Sequence, residues 1–145
     1  MNKKQNIVKK HNNNSCTLID LFAGVGGISV GFEWAGFKSI LANEFDKEIA
    51  ESFSQNFPNT PILVEDIRKL NFKEISETYK ILKGNIDVIA GGPPCQGFSM
   101  ANRKRIEQDT RNLLFIEFYK AVKFFEPKCF LIENVLGMQS ENISL

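Results

Sequence analysis

Gly91-Gly-Pro-Pro-Cys-Gln-Gly-Phe-Ser99 is the stretch of this chain with the clearest capacity for chemistry. It comes after the apolar run Ile86-Asp-Val-Ile-Ala90, which reads as a short buried strand. Glycine and proline dominate the stretch, so the strand ends in a sharply shaped loop with Cys95 at its centre. A structural cysteine is expected inside a strand or helix, packed like a small hydrophobe. One carried on a Pro-Pro turn is placed to reach a ligand. Backbone N–H groups or a helix N-terminus aimed at its sulfur would favour the nucleophilic thiolate. Taken alone, the loop reads equally well as a tight connection, so the rest of the chain must decide.

The elements that would position this loop alternate regularly. Thr17-Leu-Ile-Asp-Leu-Phe22 reads as a buried strand, Ala23-Gly-Val-Gly-Gly27 as a glycine turn, and Ile28 to Ala35 as a helix with Ile28, Phe32 and Ala35 at helical spacing. Such a turn brings backbone close to a ligand and aims a helix N-terminus at it. Gly36 ends the helix, and the strand Phe37–Ala42 leads to Asn43-Glu44. Glu44 lies 18 residues past Gly26, close to the spacing of roughly 20 at which an acid holds a ribose diol beyond a glycine turn. Asp46 is expected to cap a helix from Lys47 to Asn56. Pro61–Val64 reads as a third strand, with Glu65-Asp66 at its tip. Asp66 is either an acceptor for an amino group of a ligand or a helix cap. A helix over 71–83 closed by Gly84 comes next, then the strand 86–90 and the cysteine loop. A helix from Leu113 to Phe125 has the core stripe Leu114, Phe118, Ala121, Val122 and Phe125, and the strand Lys128–Ile132 carries Glu133-Asn134 at its tip. Cys16 and Cys129 are expected in the core. One crossover helix per strand predicts an α/β fold: a Rossmann-like, doubly wound, mostly parallel sheet. Ligands bind such sheets at the carboxyl ends of the strands, where the glycine turn, Glu44, Asp66, Cys95 and Glu133 all fall.

Composition narrows the classes. The 145 residues suit one domain, and 43% hydrophobic content can build its core. With 18 basic and 17 acidic residues, overall charge carries no nucleic-acid signature. Three cysteines without a CxxC pattern, and a single histidine, His11, suggest neither a disulfide framework nor a zinc site, so no metal is expected. No apolar run approaches the roughly 20 residues that span a membrane, and the lysine-rich start lacks the apolar segment of a secretory signal. A cytoplasmic location without membrane partners is therefore expected. Residues 1–15, rich in lysine and asparagine, are expected to be a mobile polar tail, leaving 16–145 as the folded part.

The ordered motifs Asp20-Leu-Phe-Ala-Gly-Val-Gly-Gly27, Asn43-Glu44, Asp66-Ile67, Gly91 to Ser99, Arg111-Asn-Leu-Leu-Phe115 and Glu133-Asn-Val135 resemble those of the DNA (cytosine-5)-methyltransferases. The resemblance covers residues 17 to about 140 and is most specific in Pro-Cys-Gln followed later by Glu-Asn-Val. It implies the class I S-adenosylmethionine-dependent methyltransferase fold, S-adenosyl-L-methionine as cofactor, and double-stranded DNA with a flipped-out cytosine as substrate, in a restriction-modification setting. It further implies Cys95 as the nucleophile at cytosine C6 and Glu133 as its partner at N3. Phe22, Ala23, Gly24, Gly26, Glu44, Asp66, Ile67, Pro94 and Leu114 would form the cofactor site. Ser99, Arg103 and Arg105 are expected nucleic-acid contacts. The family's target-recognition region and closing C-terminal motifs are not in this sequence. The expectation is thus a catalytic domain incomplete at its C-terminus, completed by a second chain; the alternatives are an inactive truncated fragment and a non-catalytic cofactor- or nucleic-acid-binding module.

Overall fold

Thr17–Leu21 (β1) lies at the centre of a parallel sheet because it can be buried from both sides. It pairs with Lys38–Glu44 (β2) on one edge and with Val88–Gly91 (β4) on the other. A strand covered on both faces reads as a continuous apolar run, and Leu18, Ile19 and Leu21 are all buried. Ile62–Val64 (β3) and Cys129–Ile132 (β5) add to the outer edges, giving the parallel order β3-β2-β1-β4-β5. The winding reverses between β1 and β4. This is the doubly wound architecture expected from the alternating pattern. The computed structural model describes residues 15–94 and 112–133.

Helices cover both faces. Gly27–Trp34 (α1) and Lys47–Asn56 (α2) lie on one side, where Val30 and Phe53 meet Ala42 and Ile62, and Ile28 and Phe32 meet Leu18, Val88 and Ala90. Phe72–Tyr79 (α3) and Asn112–Phe125 (α4) contribute Ile75, Phe118, Ala121 and Phe125 to the larger cluster on Ile19, Leu21, Leu41 and Ile89. Phe118 and Phe53 are among the largest fully buried side chains; burying one such side chain stabilises by about 1.5–3 kcal/mol. Asp46 caps α2 as expected, accepting from the backbone N–H groups of Glu48 and Ile49.

Several expectations need correction. β1 stops at Leu21, and Phe22 belongs to the turn. β2 runs on through Glu44 because Asn43 and Glu44 still pair with β3. α3 ends at Tyr79, where Lys80 takes a left-handed conformation with φ 56°, so Gly84 closes the connection rather than the helix. β4 starts at Val88, since Asp87 serves as a staple: its carboxylate accepts from the N–H and hydroxyl of Thr17 and from Lys128 Nζ. Gly91 belongs to β4 and needs to be glycine there, as a Cβ would stand 2.3 Å from the Leu21 carbonyl oxygen. Cys16 and Cys129 are exposed, not core. Cys129 is on an outer strand paired only with β4 among the described residues, so no neighbour covers it. The tail expected over 1–15 lies outside the described residues up to residue 14.

Asp20 is the buried acid of β1. Its Oδ2 accepts from the Ser29 N–H at 3.1 Å and the Ser29 hydroxyl at 2.7 Å, tying the first turn of α1 to the sheet. Its Oδ1 has no hydrogen-bond partner among the described residues. Desolvation pushes the carboxyl up from 3.8 to about 6, against the pull of the Ser29 bonds. The folded chain therefore holds this proton to higher pH than the unfolded chain. The Asp20 contribution to stability is fully present below about pH 4 and is lost as pH rises through about 6, a difference of ~3 kcal/mol. Asp20→Asn is expected to flatten that segment of the stability–pH curve in urea denaturation; an unchanged slope would mean that Asp20 titrates normally.

Candidate active site

The carboxyl end of β1 is built from an unusual turn. Phe22 has φ 59°, a conformation bulky residues rarely adopt. It is held because the Ala23 N–H donates to the Asn43 carbonyl at 2.9 Å, pinning the turn to the end of β2. Gly24 and Gly26 come after it with φ 56° and 100°, and Gly26 is the N-cap of α1. The turn is also packed from above: a Cβ on Gly26 would lie 2.2 Å from the ring of Phe57, at the end of α2. Gly26→Ala is thus expected to cost about 2–5 kcal/mol in chemical denaturation, from backbone strain plus overpacking. Adding Phe57→Leu should recover part of that loss; no recovery would mean that the ring is not the obstacle.

The tip of β2 braces this turn. Glu44 is buried, and its Oε2 accepts from the Gly24 N–H at 3.0 Å while its Oε1 accepts from the Asp46 N–H at 3.0 Å. One carboxylate thus joins the glycine turn to the start of α2. Asn43, also buried, donates through Nδ2 to the carbonyls of Leu63 and Glu65 at 2.9 and 2.8 Å. That fixes the end of β3 against β2 and sets where Asp66 stands.

Between these tips lies a cavity of about 150 Å³ lined by Phe22, Asn43, Phe45, Asp66, Ile67, Arg68, Pro94 and Leu114. Its walls are mostly apolar, with a carboxylate and a guanidinium at one side. Of the expected cofactor residues, Phe22, Asp66, Ile67, Pro94 and Leu114 meet here. Ala23, Gly24, Gly26 and Glu44 form the adjoining turn and its brace, outside the lining. Asp66 also proves to be a cap: it precedes the short 3-10 turn Ile67–Lys69 and accepts from the Arg68 N–H at 2.9 Å. Both readings of Asp66 are therefore compatible in one residue. The Arg68 guanidinium beside it holds the Asp66 carboxyl down at about 2.

Glu133 directly succeeds β5, and its N–H donates to the Gly91 carbonyl at 3.0 Å. Its Oε2 would be 3.0 Å from a Cβ on Gly92, so the carboxylate lies against the first residue of the cysteine loop. This adjacency arises because β4 and β5 are neighbours in the sheet. Cys95, Ser99, Arg103 and Arg105 lie outside the described residues. Among the described residues no group of histidine, cysteine or acidic side chains could hold a metal ion, and no helix is long and apolar enough to cross a membrane.

Sequence reasoning missed three lining residues. Arg68 carried a signal, a base two positions after a strand-tip acid. Phe45, directly after Glu44, carried none in the sequence, because its 74% exposure is known only from the fold. Asn43 was visible only as part of a motif, and its bridging role depends on where β3 ends.

The arrangement matches known proteins. The family model described as C-5 cytosine-specific DNA methylase matches residues 16–144. The Type II methyltransferase M.DdeI of Desulfomicrobium norvegicum is 49% identical over 123 residues, covering 85% of this chain and 28% of that protein. The Type II methyltransferase M.AquIA of a Picosynechococcus species is 41% identical over 121 residues, covering 83% of this chain and 49% of that protein. A crystal structure of an Escherichia coli prophage protein named as a DNA modification methyltransferase superposes with a TM-score of 0.76 at 42% identity, covering 90% of this chain and 35% of that one. The chain thus spans half or less of the length of these relatives.

Proposed function

The chain belongs to the C-5 cytosine-specific DNA methylases, and from that premise we propose that it forms the cofactor-binding and nucleophile-bearing part of a DNA (cytosine-5)-methyltransferase of a restriction-modification system. The observation that carries this reading is the cavity at the strand tips, which joins Phe22 at the head of the glycine turn, Asp66 and the Pro94 end of the cysteine loop in one place. Its chemistry fits S-adenosyl-L-methionine. Phe22, Ile67, Pro94 and Leu114 offer apolar walls to a flat base, and Asp66 offers an acceptor to an exocyclic amine. The glycine turn, with Ala23, Gly24 and Gly26, would run beside the nucleoside and amino-acid parts, and Glu44 would hold the ribose hydroxyls. When bound, the cofactor supplies a methyl group as a sulfonium.

The chain's own residues would prepare cytosine to receive it. C5 of cytosine is a poor nucleophile in the aromatic ring. The Cys95 thiolate adds to C6, the C5–C6 double bond is lost, and C5 becomes enamine-like. The ring takes up charge at N3, where Glu133 supplies a proton or hydrogen bond. The position of Glu133 against Gly92 supports this role. Once C5 is substituted, it loses its proton to a base, the Cys95–C6 bond breaks, and the thiolate is restored. The target base must first leave the duplex, at a cost of a few kcal/mol. Ser99, Arg103 and Arg105 are proposed to contact the DNA strand.

A segment that pairs with β5, in the same polypeptide or a second one, is part of this proposal. Phe130 and Leu131 on β5 are 56% and 44% exposed, and β5 is paired on one side alone among the described residues. An apolar edge strand of this kind is a template for further pairing. The test is labelled methyl transfer to mixed-sequence DNA, by the chain alone and with a second polypeptide that carries the family's remaining motifs. Product at C5 in either arrangement supports the reading, and product only with the partner supports the divided enzyme. No product in both favours a non-catalytic binding module.

A further inference from the structure

Asp66 does not wait in the cavity as a bare carboxylate. Arg68 Nε donates to Asp66 Oδ1 and Oδ2, both at 3.0 Å, and Arg68 Nη2 donates to Oδ2 as well. The backbone N–H of the same arginine donates to Oδ1 at 2.9 Å. Four contacts from one residue thus fall on two oxygen atoms, and both side chains line the cavity. An exposed ion pair alone contributes little, about 0–1 kcal/mol, because two long side chains must be ordered in water. This one differs in geometry. A planar fork fixes both the tilt and the rotation of a carboxylate, which a point charge does not. The backbone bond anchors the carboxylate a second time, and the 3-10 turn keeps Arg68 close to Asp66.

Such a carboxylate is an acceptor only. The four contacts come from three N–H groups, one of them shared between both oxygens, against about four lone-pair sites. Asp66 also keeps 22% of its side chain accessible, so one acceptor site remains for a ligand. An aspartate free to rotate could turn from a ring oxo group to the neighbouring ring N–H and so accommodate it almost as well as a ring amine. One held in a single orientation repels the oxo oxygen and accepts from the amine.

Resting on the function proposed for this chain, we infer that Arg68 is a specificity-determining positioning residue: its fork on Asp66 makes the cavity select a purine bearing an amino group over one bearing an oxo group. Arg68 acts through Asp66 and needs no contact with the base. Of the other charged groups nearby, Lys69 is drawn off by Glu65, whose carboxylate it meets at 3.3 Å. Glu65 in turn accepts from the Asp66 N–H at 2.9 Å, which holds the backbone rather than the Asp66 side chain.

The experiment is calorimetric titration of the full chain with S-adenosylhomocysteine and with its 6-oxo counterpart, S-inosylhomocysteine. The unsubstituted chain should prefer the amino ligand. In Arg68→Ala the preference should shrink by roughly tenfold, the scale of one lost charge-assisted hydrogen bond, with a thermal melt confirming that the variant is folded. Arg68→Lys, which keeps the charge but not the fork, should restore only a minor part. A general loosening of the structure would weaken both ligands alike and leave their ratio unchanged; that result overturns the inference, as does tighter amino-ligand binding in Arg68→Ala. Full restoration by lysine overturns the fork argument. Failure of the unsubstituted chain to bind either ligand overturns the proposed function, and this inference with it.

Discussion

Cys95→Ser is expected to bring methyl transfer below detection while leaving S-adenosylhomocysteine binding nearly unchanged. The reason is the population of the attacking group. A cysteine thiol titrates near 8.5, so a modest electropositive environment suffices to ionise it. A serine hydroxyl stays protonated under the same influence, adds poorly to C6 and is a poor leaving group afterwards. The substitution leaves the described residues that line the cavity, Phe22, Asp66, Ile67, Pro94 and Leu114 among them, unaltered. The assay must use whichever arrangement of chain and partner is active. Residual methylation by the variant would remove Cys95 from the nucleophile's role, and loss of ligand binding would show that Cys95 also shapes the cofactor site.

Glu44→Ala is the second large effect, and it should be felt before any ligand is added. The substitution leaves the N–H groups of Gly24 and Asp46 without their acceptor. Charge-assisted bonds of this kind contribute about 1.5–3 kcal/mol each where water cannot replace them. Because both sites are partly buried, a loss of about 2–4 kcal/mol in the ligand-free chain is expected from chemical denaturation. Ligand affinity should fall as well, since on the proposed function the turn beside the nucleoside would lose its brace and the ribose its acceptor. Glu44→Gln, which retains one acceptor oxygen, should lie between the two. An unchanged stability combined with weakened binding would confine Glu44 to the ligand and refute the bracing role.

The two variants also separate what kind of residue each is. Cys95 is singled out in the sequence by its Pro-Pro-Cys-Gln loop, yet that loop alone reads equally well as a tight connection, and it is the ordered motifs around it that favour a nucleophile. Glu44 is legible only in part. Its spacing from the glycine turn marks it for a ribose, but its bonds to Gly24 and Asp46 depend on how β2 meets the turn and α2. The same holds for Gly26. Its place in a glycine turn is plain in the sequence, whereas the Phe57 ring that forbids a side chain there arrives from 31 residues away.

The alternating apolar runs and punctuating glycines were enough to specify the five strands, four α-helices and parallel winding found among the described residues. Those features arise from local periodicity and from the handedness of crossover connections, both short-range properties. The strand tips, where Phe22, Asp66 and Ile67 line the cavity, follow from the same periodicity, whereas Phe45 and Arg68 in that lining do not. Tertiary structure alone decided the rest. Cys129 reads as core by its apolar neighbours yet is exposed, because β5 pairs with β4 on one side only among the described residues. Asp20 reads as one letter of a motif yet is buried beneath α1, where loss of water raises its affinity for a proton. Asp66 reads as either cap or ligand acceptor; it is a cap, it also lines the cavity, and Arg68 folds back onto it within one turn. Burial, edge position and hydrogen-bond sharing are properties of the assembled sheet, and no spacing along the chain encodes them.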